Sequence, residues 1–320
     1  MTLIVDEKQK IRVPFVEKIK GYVDLTRAHF APVWPLLFST GLMLAFKESN
    51  FFSWSLLIRV ALIGLFGFEA GMVLNDIWDR NIDQIEPDDR MTKYWRPFKE
   101  RPIPTNKVSL TEAIVVFCIF LSITVGLIAT LPFPNFLYVY GIMIYAYLVE
   151  TFYNLKKRKQ KFCFAQLLGR TDLAVFPIAG YLCFGTITNF SILMIFAFIY
   201  PWALAHLGAN DLADFENDQA KNLNTVTVLY GIKSNILWIS IATLLNISMI
   251  PILYIFMNLG IIMLSGAIVA SVFLILANIL IIIRKTPKIA LIVLPMFHAS
   301  LLIYTTTIIS DCAVYLSSIL

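Results

Sequence analysis

The chain has 320 residues, of which 58% are hydrophobic and only 15% are charged. Soluble domains carry roughly 25% charged residues, so this composition excludes an ordinary soluble protein and indicates an integral membrane protein. The formal net charge of +5 requires no nucleic-acid partner, because basic loops beside an anionic lipid leaflet account for it.

Apolar segments long enough to cross a bilayer, which takes about 20 residues, occupy most of the chain. In chain order the predicted spans are 22–46, 52–75, 109–131, 134–153, 162–185, 189–210, 235–257, 259–283 and 289–310. Only two connections, 76–108 and 211–234, are long enough to carry chemistry outside the membrane. The sequence therefore predicts one all-α transmembrane domain over residues 1–320 with nine spans, preceded by a polar segment, 1–21.

The basic residues predict the orientation of these spans. Arg27, Arg59 and Arg170 lie in or beside spans, and every other Lys and Arg except Lys47 falls in the N-terminal segment or in alternate connections. Cytoplasmic loops are enriched in Lys and Arg. We therefore expect a multi-pass protein of the cell membrane whose N-terminus and two long connections are cytoplasmic.

Acidic side chains cluster where the second and sixth predicted spans end. The first cluster contains Asn75, Asp76, Asp79 and Asp83, and the second contains Asp211, Asp214 and Asp218. If the helices continue through these residues, the spacings of three and four place each cluster on one helical face. Both clusters then lie at the cytoplasmic ends of their helices.

Carboxylates at a helix C-terminus repel one another and face the negative end of the helix dipole, so they need a cation. Magnesium takes oxygen ligands, usually one or two carboxylates together with substrate phosphates. Two such clusters facing each other would hold two Mg²⁺ ions with a diphosphate between them. Solvated loop acids are the alternative, but a shared Asn-Asp start and helical spacing in both clusters favour the metal site.

Basic and buried ionisable residues complete the predicted site. Arg27 begins the first span, and the sequence Tyr-Asn-Leu-Lys-Lys-Arg from Tyr153 closes the fourth on the same side. Arg170 and Asp172 lie inside the fifth span, where ionisable side chains are candidates for function. Such cations would neutralise a departing diphosphate. For residues 157–161, plain cytoplasmic charge explains the Lys and Arg equally well.

Four segments together resemble the UbiA superfamily of intramembrane prenyltransferases. They are NDIWDRNID at 75–83, RPIPTN at 101–106, FYNLKKR at 152–158 and NDLADFENDQAKNLNTVTVLYG at 210–231. The paired acidic motifs are specific, whereas the basic segments are weak. The sequence departs from the family pattern at Asn106, where the family has glycine, and in a longer stretch between Asp83 and Arg101.

The resemblance implies a fold and a set of roles. The fold would be nine helices in a ring around a central cavity that opens to lipid on one side, with cytoplasmic cap loops. Mg²⁺ would be the cofactor, bound directly or through water by Asn75, Asp79, Asp211 and Asp214 or Asp218, with Asp76 and Asp83 in support. Residues that contact the diphosphate would be Arg27, Tyr153 and Lys156, joined by Arg170 and Arg101.

The implied reaction is Mg²⁺-dependent transfer of a prenyl group, for example from geranylgeranyl diphosphate, to a lipophilic acceptor within the membrane lipid. Candidates for the base that removes the acceptor proton are Asp76, Asp172 and Asp211. The acceptor is an aromatic quinone precursor or an isoprenoid glyceryl phosphate, and carotenoid, haem and chlorophyll branches also exist. A polytopic transporter using intramembrane charges and a non-enzymatic scaffold are the rival hypotheses. Residues 84–107 are expected to form a lid over the bound diphosphate.

Overall fold

The structure, a computed structural model, describes residues 13–187 and 190–319. The regular secondary structure of these residues is helical, without strands, as the sequence predicts. The helices are Phe15–Leu25 (α1), Val33–Ser49 (α2), Trp54–Asp79 (α3), Arg90–Trp95 (α4), Leu110–Ala129 (α5), Asn135–Lys156 (α6), Phe164–Gly169 (α7), Thr171–Leu182 (α8), Ser191–Ala213 (α9), Phe215–Ala220 (α10), Val226–Phe256 (α11), Ile261–Arg284 (α12) and Pro287–Ser317 (α13), with a 3₁₀ turn at Ile82–Gln84.

Seven helices of the described chain are long and apolar enough to cross a membrane, namely α3, α5, α6, α9, α11, α12 and α13. The two predicted spans that differ are 22–46 and 162–185. Part of the predicted N-terminal segment, residues 1–12, and the predicted start of the sixth span at 189 lie outside the described residues.

Local backbone chemistry divides those two predicted spans. Helix α1 ends at Leu25, and α2, with 17 residues, begins after Pro32. Proline is tolerated in the first turn of a helix, where its missing N–H would have no partner anyway. In the fifth span, α7 and α8 meet at Arg170, whose φ of −79° and ψ of 0° leave the helical region. Hydropathy alone detects neither break.

Several helix ends follow signals that are visible in the sequence. Ser109 and Glu112 form a capping box at the start of α5, and the side chain of Thr286 accepts a hydrogen bond from the N–H of Ile289 at the start of α13. Such caps satisfy N–H groups that have no partner within the helix. Helix α11 is interrupted at Gly231, where φ is 81°, a conformation that favours glycine.

The helices are packed through close backbone contacts and a common apolar core. Helix α2 contacts α3, α8 and α13, and α9 contacts α8, α11 and α13. A Cβ atom on Gly41 would lie 1.7 Å from the carbonyl oxygen of Pro177, and one on Gly180 would lie 1.9 Å from that of Phe38. Small residues therefore let α2 and α8 cross closely, as is common in membrane proteins.

The C-terminal end of α2 is joined to three later helices by a buried ion pair. Lys47 and Asp311 are both buried, and Lys47 Nζ lies 4.0 Å from Asp311 Oδ2. Lys47 also donates to the carbonyls of Met257 and Asn258, just after α11. Asp311 accepts a hydrogen bond of 2.7 Å from the N–H of Gly260, which precedes α12. We call Lys47, Met257, Asn258, Gly260 and Asp311 together the α2–α13 clasp.

Candidate active site

One cavity of about 240 Å³ lies where α3, α6 and α9 end. It collects most of the side chains that the sequence analysis assigned to a site. Those that line it are Arg27, Asn75, Asp79, Asp83, Arg101, Tyr153, Arg170, Asp172, Asp211, Asp214 and Asp218. Asp76 and Lys156 do not line the cavity. Residues far apart in the sequence thus share one wall.

The first acidic motif enters the cavity from the end of α3. The helix ends at Asp79, so Asp83 lies in the following 3₁₀ turn and not on a continued helical face. Asn75 Nδ2 donates to Glu150 Oε1 at 2.8 Å and to Asn154 Oδ1 at 3.2 Å. The motif therefore reaches the cavity by a different backbone path from the one that the spacing predicted.

Basic side chains neutralise both aspartates that line the cavity from this motif. Asp79 accepts hydrogen bonds from Lys157 Nζ at 2.8 Å and from Arg158 Nη2 at 2.9 Å. Asp83 pairs with Arg101 at 2.5 Å and with Lys221 at 3.0 Å. Burial alone would raise the pKa of Asp83, but the charges of Arg101 and Lys221 hold that pKa below its ordinary value.

The second acidic motif is short of cations. Burial raises the pKa of Asp214, and burial together with the charges of Asp214 and Asp211 raises the pKa of Asp218 well above its ordinary value. Asp211 Oδ2 is buried without a hydrogen-bond partner. Carboxylates that repel one another in a buried place favour protonation or a bound cation.

This donor set fits a hard divalent cation. Three carboxylates within eight residues supply the oxygen ligands that Mg²⁺ prefers, and one buried carboxylate oxygen lacks a partner. In the described part of the chain, no three His, Cys, Asp or Glu side chains stand close enough to form a finished metal centre. A metal would therefore complete its coordination with other ligands, and phosphate oxygens are the usual ones.

Asp76 is enclosed by two arginines instead of facing the cavity. Arg27 Nη2 lies 2.9 Å from Asp76 Oδ1, and Arg96 Nη2 lies 2.8 Å from Asp76 Oδ2. Arg27 adopts φ 45°, which is uncommon for a residue other than glycine. Asp76 therefore positions Arg27 and Arg96, which both line the cavity.

At the end of α6 the cavity is contacted by Lys157, whereas Lys156 is exposed. Tyr153 and Lys157 are four residues apart and share a helical face, and Lys157 Nζ lies 4.9 Å from the centre of the Tyr153 ring. That spacing could have identified Lys157 from the sequence. Lys221, which bridges to the first motif, carried no signal in the sequence that separated it from other loop lysines.

Arg170 and Asp172 line the cavity at the junction where helix α7 ends and helix α8 begins. The Arg170 guanidinium carbon lies 5.5 Å from the centre of the Tyr153 ring, and Arg170 Nε has no hydrogen-bond partner. Asp172 accepts a hydrogen bond from the N–H of Leu173. The break thus gives the site one cation with an unpaired donor.

The 84–107 segment covers the cavity. Met91, Thr92, Trp95 and Arg96 line it from this side. The segment is attached to the second motif through Asn217, which donates to the carbonyl of Asp88 at 2.7 Å and accepts from its N–H at 3.0 Å.

The opposite end of the segment is attached to α1. The carboxylate of Asp24 accepts from the N–H groups of Phe98 at 2.7 Å and Glu100 at 3.1 Å. Its backbone oxygen accepts from Arg96 Nη1 at 2.6 Å. Both ends of the segment are therefore held by hydrogen bonds in this structure.

The inner part of the cavity is apolar and aromatic. The rings of Trp34 and Phe68 are stacked with centroids 3.4 Å apart, and Phe68 contacts Phe176 at 5.1 Å. All three line the cavity. A ligand with a charged head and an apolar body would match this arrangement, with its head among the aspartates and its body against the aromatic wall.

A family model described as the UbiA prenyltransferase family matches residues 33–301. A protoheme IX farnesyltransferase of Ehrlichia ruminantium (strain Welgevonden) is 26% identical over 71% of this chain and 72% of its own. A digeranylgeranylglyceryl phosphate synthase of Methanosphaera stadtmanae is 26% identical over 63% of this chain and 68% of its own.

Among solved structures, a UbiA homologue from Archaeoglobus fulgidus bound to DMAPP and Mg²⁺ has a TM-score of 0.66 with 17% identity, and the match covers 91% of this chain and 99% of that one. That likeness concerns the fold. Together with the seven apolar helices, these matches make the protein a multi-pass membrane protein. The chain belongs to the UbiA prenyltransferase family.

Proposed function

We propose that this protein transfers a prenyl group from a prenyl diphosphate to a lipophilic acceptor, with release of diphosphate and with Mg²⁺ as cofactor. The observation that carries the proposal is the single cavity in which both acidic motifs meet Lys157, Arg101, Lys221 and Arg170. Its polar half suits a metal diphosphate and its aromatic half suits an isoprenoid chain. Relatives named for farnesyl and geranylgeranyl chemistry support the same reaction class.

In this proposal Asp211, Asp214 and Asp218 hold Mg²⁺ on one side, and Asn75, Asp79 and Asp83 hold it on the other. Bound Mg²⁺ would neutralise charge on the leaving diphosphate. Lys157, Arg158, Arg101 and Lys221 stand beside the first motif, so they bind the diphosphate oxygens when those replace the aspartates as partners. Arg170, with its unpaired Nε, is a further phosphate ligand.

The remaining residues of the cavity act on the prenyl group. Breaking its C–O bond leaves an allylic cation, which water would trap. Trp34, Phe68 and Phe176 form a wall that excludes water, and aromatic faces attract a cation. The 84–107 segment, acting as a lid, would close the other route for water.

A ring of nine helices remains the architecture that we propose. Helices α2 and α8 would be the two spans beyond the seven long ones, and each contacts cavity-forming helices on both sides. The positive-inside pattern supports a cytoplasmic position for the N-terminus and for both acidic motifs, and a cell membrane location.

The test is transfer by the purified protein in vesicles, with geranylgeranyl diphosphate as donor and an acceptor panel of an aromatic acid, an isoprenoid glyceryl phosphate and protohaem. We expect a prenylated product from one acceptor, no product with EDTA, and recovery with Mg²⁺. The acceptor used decides between the quinone-precursor and glyceryl phosphate alternatives. Failure of every acceptor together with no consumption of donor would reject prenyl transfer.

A further inference from the structure

All three histidines of the chain lie together beside the cavity, although they come from distant parts of the sequence. His206 on α9 and His298 on α13 line the cavity, with their Nε2 atoms 3.0 Å apart. The Tyr94 hydroxyl lies 2.6 Å from His298 Nδ1, and His29 Nε2 contacts the Tyr94 carbonyl at 3.2 Å. None of these side chains has a role in binding the diphosphate.

Aromatic packing fixes the two imidazoles that line the cavity. The rings of Trp202 and His206 are stacked with centroids 5.2 Å apart and an angle of 5°. The Trp95 ring meets the His298 ring edge-on at 5.1 Å. His206 is buried, and its Nδ1 atom has no hydrogen-bond partner in the protein. A buried polar atom without a partner costs free energy, so its presence at a cavity wall points to a ligand.

The row from His206 through His298 to Tyr94 admits two hydrogen-bond arrangements. A neutral imidazole has one N–H donor and one acceptor nitrogen. If the Tyr94 hydroxyl donates to His298, then His298 donates to His206, and His206 Nδ1 carries a hydrogen. If His206 Nε2 donates to His298 and His298 Nδ1 donates to Tyr94, then His206 Nδ1 is a free acceptor. The two arrangements differ by a proton shift along the row.

The row also connects the cavity with the protein surface. His206 is buried, whereas Tyr94 is half-buried and lies on α4 in the 84–107 segment. A proton taken up inside the cavity can therefore leave without water entering. Water entry is what a site that forms an allylic cation has to avoid.

The predicted base candidates on the acidic motifs are poorly suited to this task. Asp76 is held by two arginines, and Asp211 is placed among the ligands of the metal. Of the three base candidates from the sequence analysis, Asp76, Asp172 and Asp211, only Asp172 is left as a rival.

We propose that His206 Nδ1 accepts the proton that the acceptor loses, and that His298 and Tyr94 position His206 and pass a proton on to water. This inference rests on the proposed prenyl transfer. His206 would be the catalytic residue, since it faces the substrates, whereas His298 and Tyr94 act through it.

For a hydroxyl acceptor the bonds balance as follows. The oxygen lone pair forms the new bond to C1 of the prenyl group, and the electron pair of the broken C–O bond leaves with the diphosphate. The electron pair of the acceptor O–H bond stays on oxygen, and its proton moves to His206 Nδ1. The Nε2 proton of His206 moves to His298 Nε2, the Nδ1 proton of His298 moves to the Tyr94 oxygen, and the Tyr94 hydroxyl proton passes to water.

The test compares product formation by wild-type protein, His206→Gln, His298→Gln and Tyr94→Phe, with the exposed Lys285→Gln as control and Asp172→Asn as the rival base. General-base catalysis contributes about 10²- to 10⁴-fold, so we expect His206→Gln to lower turnover by at least about 10²-fold and added imidazole to restore part of it. Binding of a non-hydrolysable prenyl diphosphate analogue should stay at the wild-type level. Lys285→Gln should stay within about twofold of wild type, since surface changes away from a site have small effects.

The effects of His298→Gln and Tyr94→Phe are measured from the pH dependence of the turnover rate. Without the row, His206 has to release its proton directly, so the acid limb of the rate should move to higher pH in both variants. The other titratable groups that act on the two histidines are Arg170 and His29, and both are unchanged in these variants, so a shifted acid limb reports the loss of the row. Tyr94→Phe removes one hydroxyl from a half-buried ring, so it tests the row even if His206→Gln fails to fold.

The outcomes separate the two proposals. If wild-type protein transfers no prenyl group, the proposed function fails first. If wild-type protein is active, a His206→Gln rate within about threefold of wild type or an unchanged pH profile in Tyr94→Phe overturns the histidine base. Loss of turnover in Asp172→Asn alone would do the same and would assign the proton to Asp172.

Discussion

Neighbouring lysines at the end of α6 have different surroundings. Lys157 is buried and contacts Asp79 at 2.8 Å, whereas Lys156 is exposed. The sequence analysis favoured Lys156 as a diphosphate contact, because a run of basic residues does not show which of them faces the cavity. The four-residue spacing from Tyr153 is the information that selects Lys157.

The pair offers a matched comparison. We expect Lys157→Met to lower kcat/KM for the prenyl diphosphate at least about tenfold, since the charge-assisted hydrogen bond that Lys157 would donate to a diphosphate oxygen is lost. Lys156→Met should stay within about twofold of wild type, because an exposed charge contributes little. Steady-state kinetics measure both, and thermal unfolding checks the fold. Equal losses in the two variants would contradict this assignment.

The two acidic motifs are tested one residue at a time. Asp79→Asn and Asp214→Asn should each lower turnover by at least about 10²-fold, because departure of the diphosphate depends on stabilisation of its charge by metal. Both variants should also need more Mg²⁺ for half-maximal activity. Asp89→Asn, an exposed residue paired with Lys93, is the control. Wild-type rates at low Mg²⁺ in both motif variants would reject the two-motif site.

The sequence analysis identified the acidic-motif residues that line the cavity, because acidic side chains at helical spacing are rare in membrane spans. It did not collect His206 and His298, which come from α9 and α13 and meet only when those helices pack. No local pattern marks a single histidine in an apolar helix, and a packed core residue is the ordinary interpretation. Contacts across the bundle are therefore the part that required the structure.

Among the elements, the 84–107 segment joins both motifs to α1. Arg96 contacts Asp76 of the first motif, and Asp88 is held by Asn217 beside the second. The sequence predicted a lid here from its charge and aromatic residues. In the structure the segment lines one side of the cavity, and its role as a lid remains a prediction.

Proteolysis tests the lid. With Mg²⁺ and a non-hydrolysable prenyl diphosphate analogue, cleavage after Arg90, Lys93 or Lys99 should slow markedly relative to the protein alone, because a closed active-site segment is protected. Asn217→Ala should speed cleavage without the analogue, since two hydrogen bonds to Asp88 are lost. The exposed Asn81→Ala serves as control. If neither the analogue nor Asn217→Ala changes the cleavage rate, the 84–107 segment does not act as a mobile lid.

The predicted spans 22–46 and 162–185 show the limit of hydropathy at the scale of an element. Both windows are apolar enough for one continuous helix, yet α1 and α2 are separate and α7 and α8 meet at Arg170. Averaging over a window hides single residues such as Pro32. The second of these breaks brings Arg170 and Asp172 to the cavity, so the element that hydropathy described least well contributes directly to the site.

For the whole molecule, the charge pattern predicts an orientation that labelling can measure. In a variant with the exposed Cys118 changed to alanine, a cysteine at the exposed Lys93 should react with a membrane-impermeant maleimide from the side of the motifs. A cysteine at Thr130, after α5, should react from the opposite side. The positive-inside rule is the reason. Labelling of both positions from one side of sealed vesicles would show that the span count between them is wrong.

The α2–α13 clasp lies far from the cavity. Lys47 is 13 positions after Trp34 on α2, and Asp311 is 10 positions after Leu301 on α13, which at 1.5 Å per residue places the clasp about 15–20 Å from the cavity wall. Buried charge–charge and charge–carbonyl contacts tie four helices there, whereas the cavity end is closed by a loop segment. If the clasp holds its end of the bundle fixed, a small tilt of these helices would displace their cavity ends by a larger distance. In the proposed reaction, such tilting would widen the cavity mouth for a lipid acceptor and leave the contacts of the clasp in place.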